Sequence, residues 1–149
     1  MEMIKNKQIL YFDKKDLLKF QNQTLYVFKA KKTSYVYVRI NNKNKRIHRL
    51  ILNAKLPLQV DHINGNGLDN RRKNLRLVTS QQNNFNRRPV NSKYKGVAFH
   101  KRCNLWEAKI CINQKRMCLG FFKTAQEAAR AYNLKAKELF GEFAYLNTF

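Results

Sequence analysis

Val60-Asp61-His62-Ile63-Asn64-Gly65-Asn66, then Asn74-Leu75-Arg76, then Asn83 decide how this chain is read. Leu58 to His62 has the composition of a short β-strand, and Leu75 to Val78 of a second. Between them, Ile63 to Lys73 holds Gly65, Gly67 and several Asn, the residues that turns demand. Thr79 and Ser80 are N-cap types, and Gln81 to Arg87 reads as the start of a helix. The order is strand, loop, strand, helix. Asn74 stands twelve residues after His62, and Asn83 nine further on.

The acids around this stretch are conspicuous by their scarcity. Between Leu17 and Trp106 only Asp61 and Asp69 occur, against twenty Lys and Arg. A surface that approaches phosphates excludes carboxylates, because like charges repel and burying an unpaired one is costly. Two acids retained inside such a tract need a reason. A divalent cation is one, since it reverses the local charge. A turn-capping Asp is the other. Asp69 lies in the turn-like run Gly67-Leu68-Asp69-Asn70 and is read as a turn residue; Asp61 is read as a metal ligand.

Upstream, Leu25 to Ala30 and Tyr35 to Ile40 read as two strands joined through Lys31-Lys32-Thr33-Ser34. Asn41-Asn42-Lys43-Asn44 makes the next turn. Ile47 to Lys55 is expected to be a helix closed by Pro57, with Ile47, Leu50, Ile51 and Ala54 at helical spacing. His48 on this helix is read as packed or phosphate-facing rather than catalytic. Downstream, the polar run Arg87 to Ser92 marks a domain boundary. Tyr94 to His100, Leu105 to Ile112 and Arg116 to Phe122 read as three strands. Trp106, Ala108, Ile110 and Ile112 form one apolar face of the second. Thr124-Ala125-Gln126-Glu127 is a capping-box pattern, and Gly141 ends the helix that follows. That helix carries Ala125, Ala128, Ala129, Tyr132, Ala136 and Leu139 on one side, for packing against the sheet.

The 149 residues carry a net charge of +22, which calls for a polyanionic partner: DNA, RNA or an anionic membrane surface. With 44% hydrophobic residues the chain can build cores, so a disordered basic tail is excluded. No apolar run reaches the roughly 18 residues of a membrane span, and Met1 to Gln8 is not followed by a signal-peptide segment. Three cysteines, Cys103, Cys111 and Cys118, make a disulfide framework or a four-cysteine structural zinc site improbable and fit a reducing, cytoplasmic compartment.

The stretch quoted first resembles the HNH endonuclease family over about Ile47 to Arg88, through Asp61-His62, the glycine-containing loop, Asn74-Leu75-Arg76 and Asn83. In that family a β-hairpin and one helix, the ββα-metal fold, wrap a single divalent metal. The resemblance implies a role for each residue. His62 is the general base that takes a proton from water. Asn74 orients the His62 ring. Asp61 and Asn83 offer hard oxygen ligands to one divalent cation, Mg²⁺ or alternatively Mn²⁺. Many members have a second metal-ligating His where this chain has Asn83, which favours an oxygen-loving ion over zinc. On an ideal strand Asp61 and His62 face opposite sides, so the resemblance implies a twist at the strand end.

The last third resembles the Apetala-two (ethylene-response-factor type) DNA-binding domain over Asn91 to Phe149. The resemblance rests on Tyr94-Lys95-Gly96-Val97, Trp106-Glu107-Ala108-Lys109-Ile110, Leu119-Gly120-Phe121-Phe122 with Thr124 to Tyr132, and Leu146-Asn147. It implies a three-stranded antiparallel sheet in the DNA major groove, supported by one helix. By matching position it names Lys95, His100, Lys109 and Arg116 as groove-facing, with Lys101 and Arg102 beside them. Ala98, Cys111 and Cys118 replace residues that are basic or Trp in the plant domains, so target preference does not carry over.

The expected protein is therefore α+β. An N-terminal β-rich extension, residues 1–46, contributes a β-hairpin. The ββα-metal (HNH) nuclease module, 47–90, follows, and then an Apetala-two-type domain, 91–149. The expected function is a DNA endonuclease of homing or phage type, acting on double-stranded DNA as a monomer or weak dimer without a small-molecule cofactor. Arg71, Arg72, Arg76, Arg87 and Arg88 are expected to contact phosphates. The alternative is a non-catalytic transcriptional regulator that binds DNA through the last domain.

Overall fold

The computed structural model describes residues 2–5, 8–30, 33–90 and 92–149. Lys31, Lys32 and Asn91, placed above in a strand connection and a domain boundary, lie outside them. The protein is α+β, with four small antiparallel sheets in two compact units, Met1–Asn84 and Phe85–Phe149.

In the first unit, β1 (Glu2–Lys5) and β2 (Gln8–Tyr11) form a hairpin, followed by the short helix α1 (Lys14–Leu18). β3 (Leu25–Lys29), β4 (Ser34–Ile40) and β5 (Lys43–Arg46) make a meander. β5 was expected to be part of a turn. Only Asn41 and Asn42 turn, with φ of 49° and 57°. Asn tolerates the left-handed region, so two residues close the hairpin and pairing resumes at Lys43. α2 (Ile47–Ile51) stops short of the expected Lys55. Asn53 at φ 49° ends it in a Schellman motif: Ala54 N–H donates to Arg49 O at 2.9 Å and Asn53 N–H to Leu50 O at 3.3 Å. Pro57 is not the terminator.

β6 (Gln59–His62) and β7 (Leu75–Val78) pair next, and α3 (Ser80–Phe85) follows. α3 starts on a reciprocal cap: Gln82 N–H donates to Thr79 Oγ1 at 3.2 Å, and Thr79 N–H to Gln82 Oε1 at 2.9 Å. Leu10, Phe12, Leu17, Phe20, Leu25, Val36, Val38, Ile47, Ile51 and Leu75 share one core. The expected extension and the β6–β7–α3 module are thus one body without a boundary at residue 46, and the units divide at Asn84/Phe85, ahead of the Arg87–Ser92 run.

In the second unit, β8 (Val97–His100), β9 (Leu105–Ile112) and β10 (Lys115–Phe122) form a meander backed by α4 (Ala125–Phe140). β8 begins later than expected because Gly96, at φ 73°, interrupts the extended run. Ala108, Ile110, Ala128, Ala129, Tyr132, Ala136 and Phe140 are buried on the shared face. The Thr124–Glu127 capping box is complete. No helix among the described residues is long and apolar enough to cross a membrane.

Candidate functional site

Asp61 and His62 lie on β6, Asn74 immediately before β7, and Asn83 on α3. In register, Asp61 lies opposite Arg76 and His62 opposite Leu75. The loop between the strands is knotted by amides. Asn74 Nδ2 donates to Asn64 Oδ1 at 3.0 Å and to the Asp69 carbonyl at 2.8 Å, while its Oδ1 accepts from Asn64 N–H at 3.0 Å. Asn74 was expected to bond the His62 ring; these bonds instead fix the loop that leaves His62, and Ile63 N–H adds a bond to Asn74 O at 2.9 Å. Gly67 is required by close approach, since a Cβ there would lie 2.3 Å from Ser34 O and 2.7 Å from the Tyr35 ring. That approach seats the loop against β4.

His62 is buried, 6% exposed, and so is His48, 3% exposed. Their rings meet edge to face with centroids 4.9 Å apart, and Tyr35 lies 6.0 Å from His62 and 5.8 Å from His48. Burial holds the His62 pKa below its ordinary value, opposed by the Asn70 amide and by the Asp61 and Asp69 carboxylates. Burial, assisted by His62, Arg46 and Arg49, brings His48 down to about 3. Both imidazoles are therefore neutral at physiological pH. His48 Nδ1 is buried without a hydrogen-bond partner. The sequence offered no signal linking His48 to His62, because their proximity needs α2 to dock on β6.

Asp61 is 7% exposed and accepts from Arg76 Nε at 3.0 Å and Nη2 at 2.8 Å. Gln59 and Asp61, two apart on β6, share a face. Asn83 Nδ2 donates to Gln59 Oε1 at 2.6 Å, which ties α3 to β6 and uses the donor end of the Asn83 amide. The oxygen end remains the coordinating atom type. A carboxylate and an amide oxygen are donor types suited to a hard divalent cation, although no group of three or more His, Cys, Asp or Glu among the described residues is placed to hold one.

Three arginines expected at phosphates are instead turned onto carboxylates. Arg71 binds Asp69 through Nε at 2.8 Å and Nη2 at 2.6 Å. Arg72 binds Asp16 through Nε at 2.6 Å and Nη2 at 2.8 Å, and reaches Ile51 O at 2.9 Å. Arg76 holds Asp61. The reason is local: each buried carboxylate needs a counter-charge, and the nearest guanidinium supplies it bidentately or nearly so. These pairs also hold the Asp16 and Asp69 carboxyls below their ordinary pKa, chiefly through the arginine hydrogen bonds.

In the second unit the strand alternation that buries Ala108 and Ile110 puts Glu107, Lys109 and Cys111 on the outer face. Lys109 lies opposite Cys118, and Cys111 opposite Arg116. His100 is exposed and meets Phe121 at 5.6 Å, with Cys103 Sγ 3.3 Å from its Nδ1. Lys101, Arg102 and Arg116 are exposed, and Lys109 Nζ reaches Glu107 at 3.1 Å. Lys95 departs from the expectation. Its Nζ donates to Phe85 O at 2.6 Å, and burial lowers its pKa to about 8. Its backbone N–H and C=O are both bound by the Asn147 side chain. Lys95 thus ties chain segments together within this unit. Arg87 and Arg88 are exposed and belong to this unit rather than to the hairpin module.

Residues 45–85 match the HNH endonuclease family. A protein of Acanthamoeba polyphaga mimivirus named as an uncharacterized HNH endonuclease is 43% identical over 103 residues, 68% of this chain and 54% of that protein. APETALA2-like protein 2 of Oryza sativa subsp. japonica is 38% identical over 72 residues, 48% of this chain and 17% of its own. An AP2-like ethylene-responsive transcription factor of Arabidopsis thaliana is 42% identical over 60 residues, 40% of this chain and 12% of its own. The chain spans about half the length of the viral relative and a smaller part of the plant ones. It carries an HNH endonuclease module joined to an Apetala-two-type module.

Proposed function

We propose that this chain is a DNA endonuclease, of homing or phage type, whose first unit hydrolyses a phosphodiester bond and whose second selects the sequence. The observation that carries the reading is the buried, neutral His62 beside Asp61, on a hairpin within the HNH match. His62 accepts a proton from the attacking water; the water oxygen bonds to phosphorus as the bond to the 3′ oxygen breaks. The 3′ oxygen takes a proton from solvent, and the products are a 5′-phosphate and a 3′-hydroxyl. Asp61 and Asn83 are the residues to hold one divalent cation, Mg²⁺ or Mn²⁺, which supplies Lewis acidity to the phosphate and the leaving oxygen when bound. Asn74 positions His62 through the loop, and the His48 and Tyr35 rings exclude water from one side of it. Double-stranded DNA lies across the outer face of β8–β10, contacted by His100, Lys101, Arg102, Lys109 and Arg116.

Incubation of supercoiled plasmid with Mg²⁺ or Mn²⁺, with and without chelator, tests this reading. Cleavage is expected only with the metal. His62→Ala is expected to lower the cleavage rate by a factor of about 10² or more while duplex affinity changes less than about twofold, because the base acts in the transition state. Parallel loss of binding and cleavage in a folded variant would make His62 structural. Site-selective binding with no cleavage under any metal would favour the regulator.

A further inference from the structure

Apart from Tyr35, which packs against the buried His48 and His62, the outer face of the β3–β4–β5 sheet takes no part in the core. Alternation buries Leu25, Val36 and Val38 on one side and turns Tyr26, Phe28, Tyr35, Tyr37, Arg39 and Arg46 to the other. Tyr26 is 39% and Phe28 51% exposed. The rows are in register: Tyr26 opposite Tyr37, Phe28 opposite Tyr35, and Tyr37 opposite Arg46. Phe28 and Tyr37 pack edge to face at 5.0 Å, and Arg46 Nε donates to Tyr37 Oη at 2.8 Å, so the exposed rings rest on a fixed support. No acid occurs anywhere from Leu17 to Val60.

At the Tyr26 end of this face lies an open cleft of about 430 Å³ lined by Asn22, Gln23, Tyr26, Arg39, Asn41 and Asn42. Amides there offer donors and acceptors side by side, the complement of a nucleobase edge. At the other end Tyr35 touches both His48 and His62. The face therefore runs from an amide-lined cleft, over exposed rings, to the candidate catalytic histidine.

We propose that this face binds an unpaired DNA strand flanking the strand cut at His62. Bases stack on Tyr26 and Phe28, one base enters the cleft, and Arg39 and Arg46 take phosphates. The inference rests on the nuclease reading for its choice of DNA. Spacing favours unpaired over duplex DNA. Tyr26 and Phe28 are two residues apart on one strand, about 6.8 Å, twice the roughly 3.4 Å rise of stacked bases. Ring faces at that spacing engage bases pulled apart from each other, whereas a duplex presents only base edges and phosphates.

The test is fluorescence anisotropy of the full chain with a labelled single-stranded DNA 15-mer, its duplex and the RNA of the same sequence, all with chelator. Tyr26→Ala/Phe28→Ala is expected to weaken single-stranded DNA binding at least about tenfold and duplex binding less than twofold. Tyr26→Phe/Phe28→Tyr is expected to restore it, since it keeps the ring faces. Arg39→Ala is expected to make the salt dependence on single-stranded DNA shallower. Equal losses on single strand and duplex, or no loss on the single strand, would overturn the proposal. So would a loss confined to RNA. Because the assay runs without metal, it is independent of cleavage. Absence of cleavage in the plasmid experiment sinks the nuclease reading, and with it the relation of the strand to a cut, but leaves single-strand binding by this face standing; absence of the aromatic effect sinks this proposal and leaves the nuclease reading standing.

Discussion

The Asp61–Arg76 pair sits where two demands meet. A carboxylate 7% exposed needs a counter-charge to fold, and the proposed chemistry needs the same carboxylate for a cation. Arg76→Ala removes the resident counter-charge. The variant is expected to lose roughly 3 kcal/mol of stability without divalent ions, and to regain part of it in Mg²⁺ or Mn²⁺ where the wild type gains less. Thermal melts with and without chelator measure this; equal gains in both proteins would place the cation away from Asp61. The histidines set a pH dependence of known sign. His48 has a folded pKa of about 3 against an ordinary 6.5, so the unfolded chain binds more protons between those values. Its contribution to stability is complete above about 6.5 and is lost as pH falls toward about 3. His62 acts in the same direction. The paired Asp16 and Asp69 add a further loss below their ordinary 3.8. Urea midpoints of the wild type are expected to fall steadily below pH 6.5, and His48→Phe to flatten the part of that decline above pH 4. An unchanged slope in His48→Phe would show that His48 titrates normally in the fold.

At the scale of elements, the helix–sheet contact of the second unit depends on a single missing methyl group. Gly96 precedes β8 at φ 73°, and a Cβ there would lie 2.1 Å from the Tyr132 ring of α4 and 2.5 Å from Lys109 O. Lys109 N–H donates to Gly96 O at 2.8 Å, so the backbone cannot retreat without losing that bond. Gly96→Ala is expected to destabilise this unit by at least about 2 kcal/mol, from overpacking and the left-handed backbone together. Chemical denaturation of residues 85–149 measures it. A change below about 0.5 kcal/mol would mean that α4 shifts freely on the sheet. The first unit shows the opposite: its β6–β7 hairpin is held by polar knots, Asn74 on Asn64 and Asp69, and Asn83 on Gln59.

At the scale of the whole chain, both units are basic. Residues 1–84 carry a net charge of +13 and residues 85–149 of +9, so charge alone cannot assign recognition to either. Each has its own core, and each fragment is expected to fold by itself. Residues 1–84 are expected to bind DNA with little sequence preference and to retain weak cleavage, while residues 85–149 bind the site without cutting. Binding to cognate and scrambled duplexes at two salt concentrations checks the division. Undiminished preference in residues 1–84 would move recognition into the HNH unit. The three arginine–carboxylate pairs lower the number of cations in residues 1–84 that are free to release counterions, so its salt slope is expected to be shallower than its lysine and arginine content implies.

Local patterns placed several of the elements, though not β1, β2, α1 or β5, and they named candidates for the site. β9 lies where alternation put it, because a half-buried strand must alternate, and β7 lies where its composition put it. The α4 cap follows directly from Thr124 and Glu127. Asp61, His62, Asn74 and Asn83 could be named because the family resemblance rests on one short continuous stretch that contains all four. What required the tertiary structure was every pairing across long separations. Arg72 meets Asp16 from fifty-six residues away, and only folding decides that its charge faces a carboxylate instead of phosphate. His48 reaches His62 because α2 docks on the hairpin, and the β1–β2 hairpin joins the same core through Leu10 and Phe12 rather than standing apart as an extension. Periodicity reports which face of an element is buried; it does not report against what. Partner choice is set by packing and by the need of each buried charge for a counter-charge, and those are properties of the assembled chain.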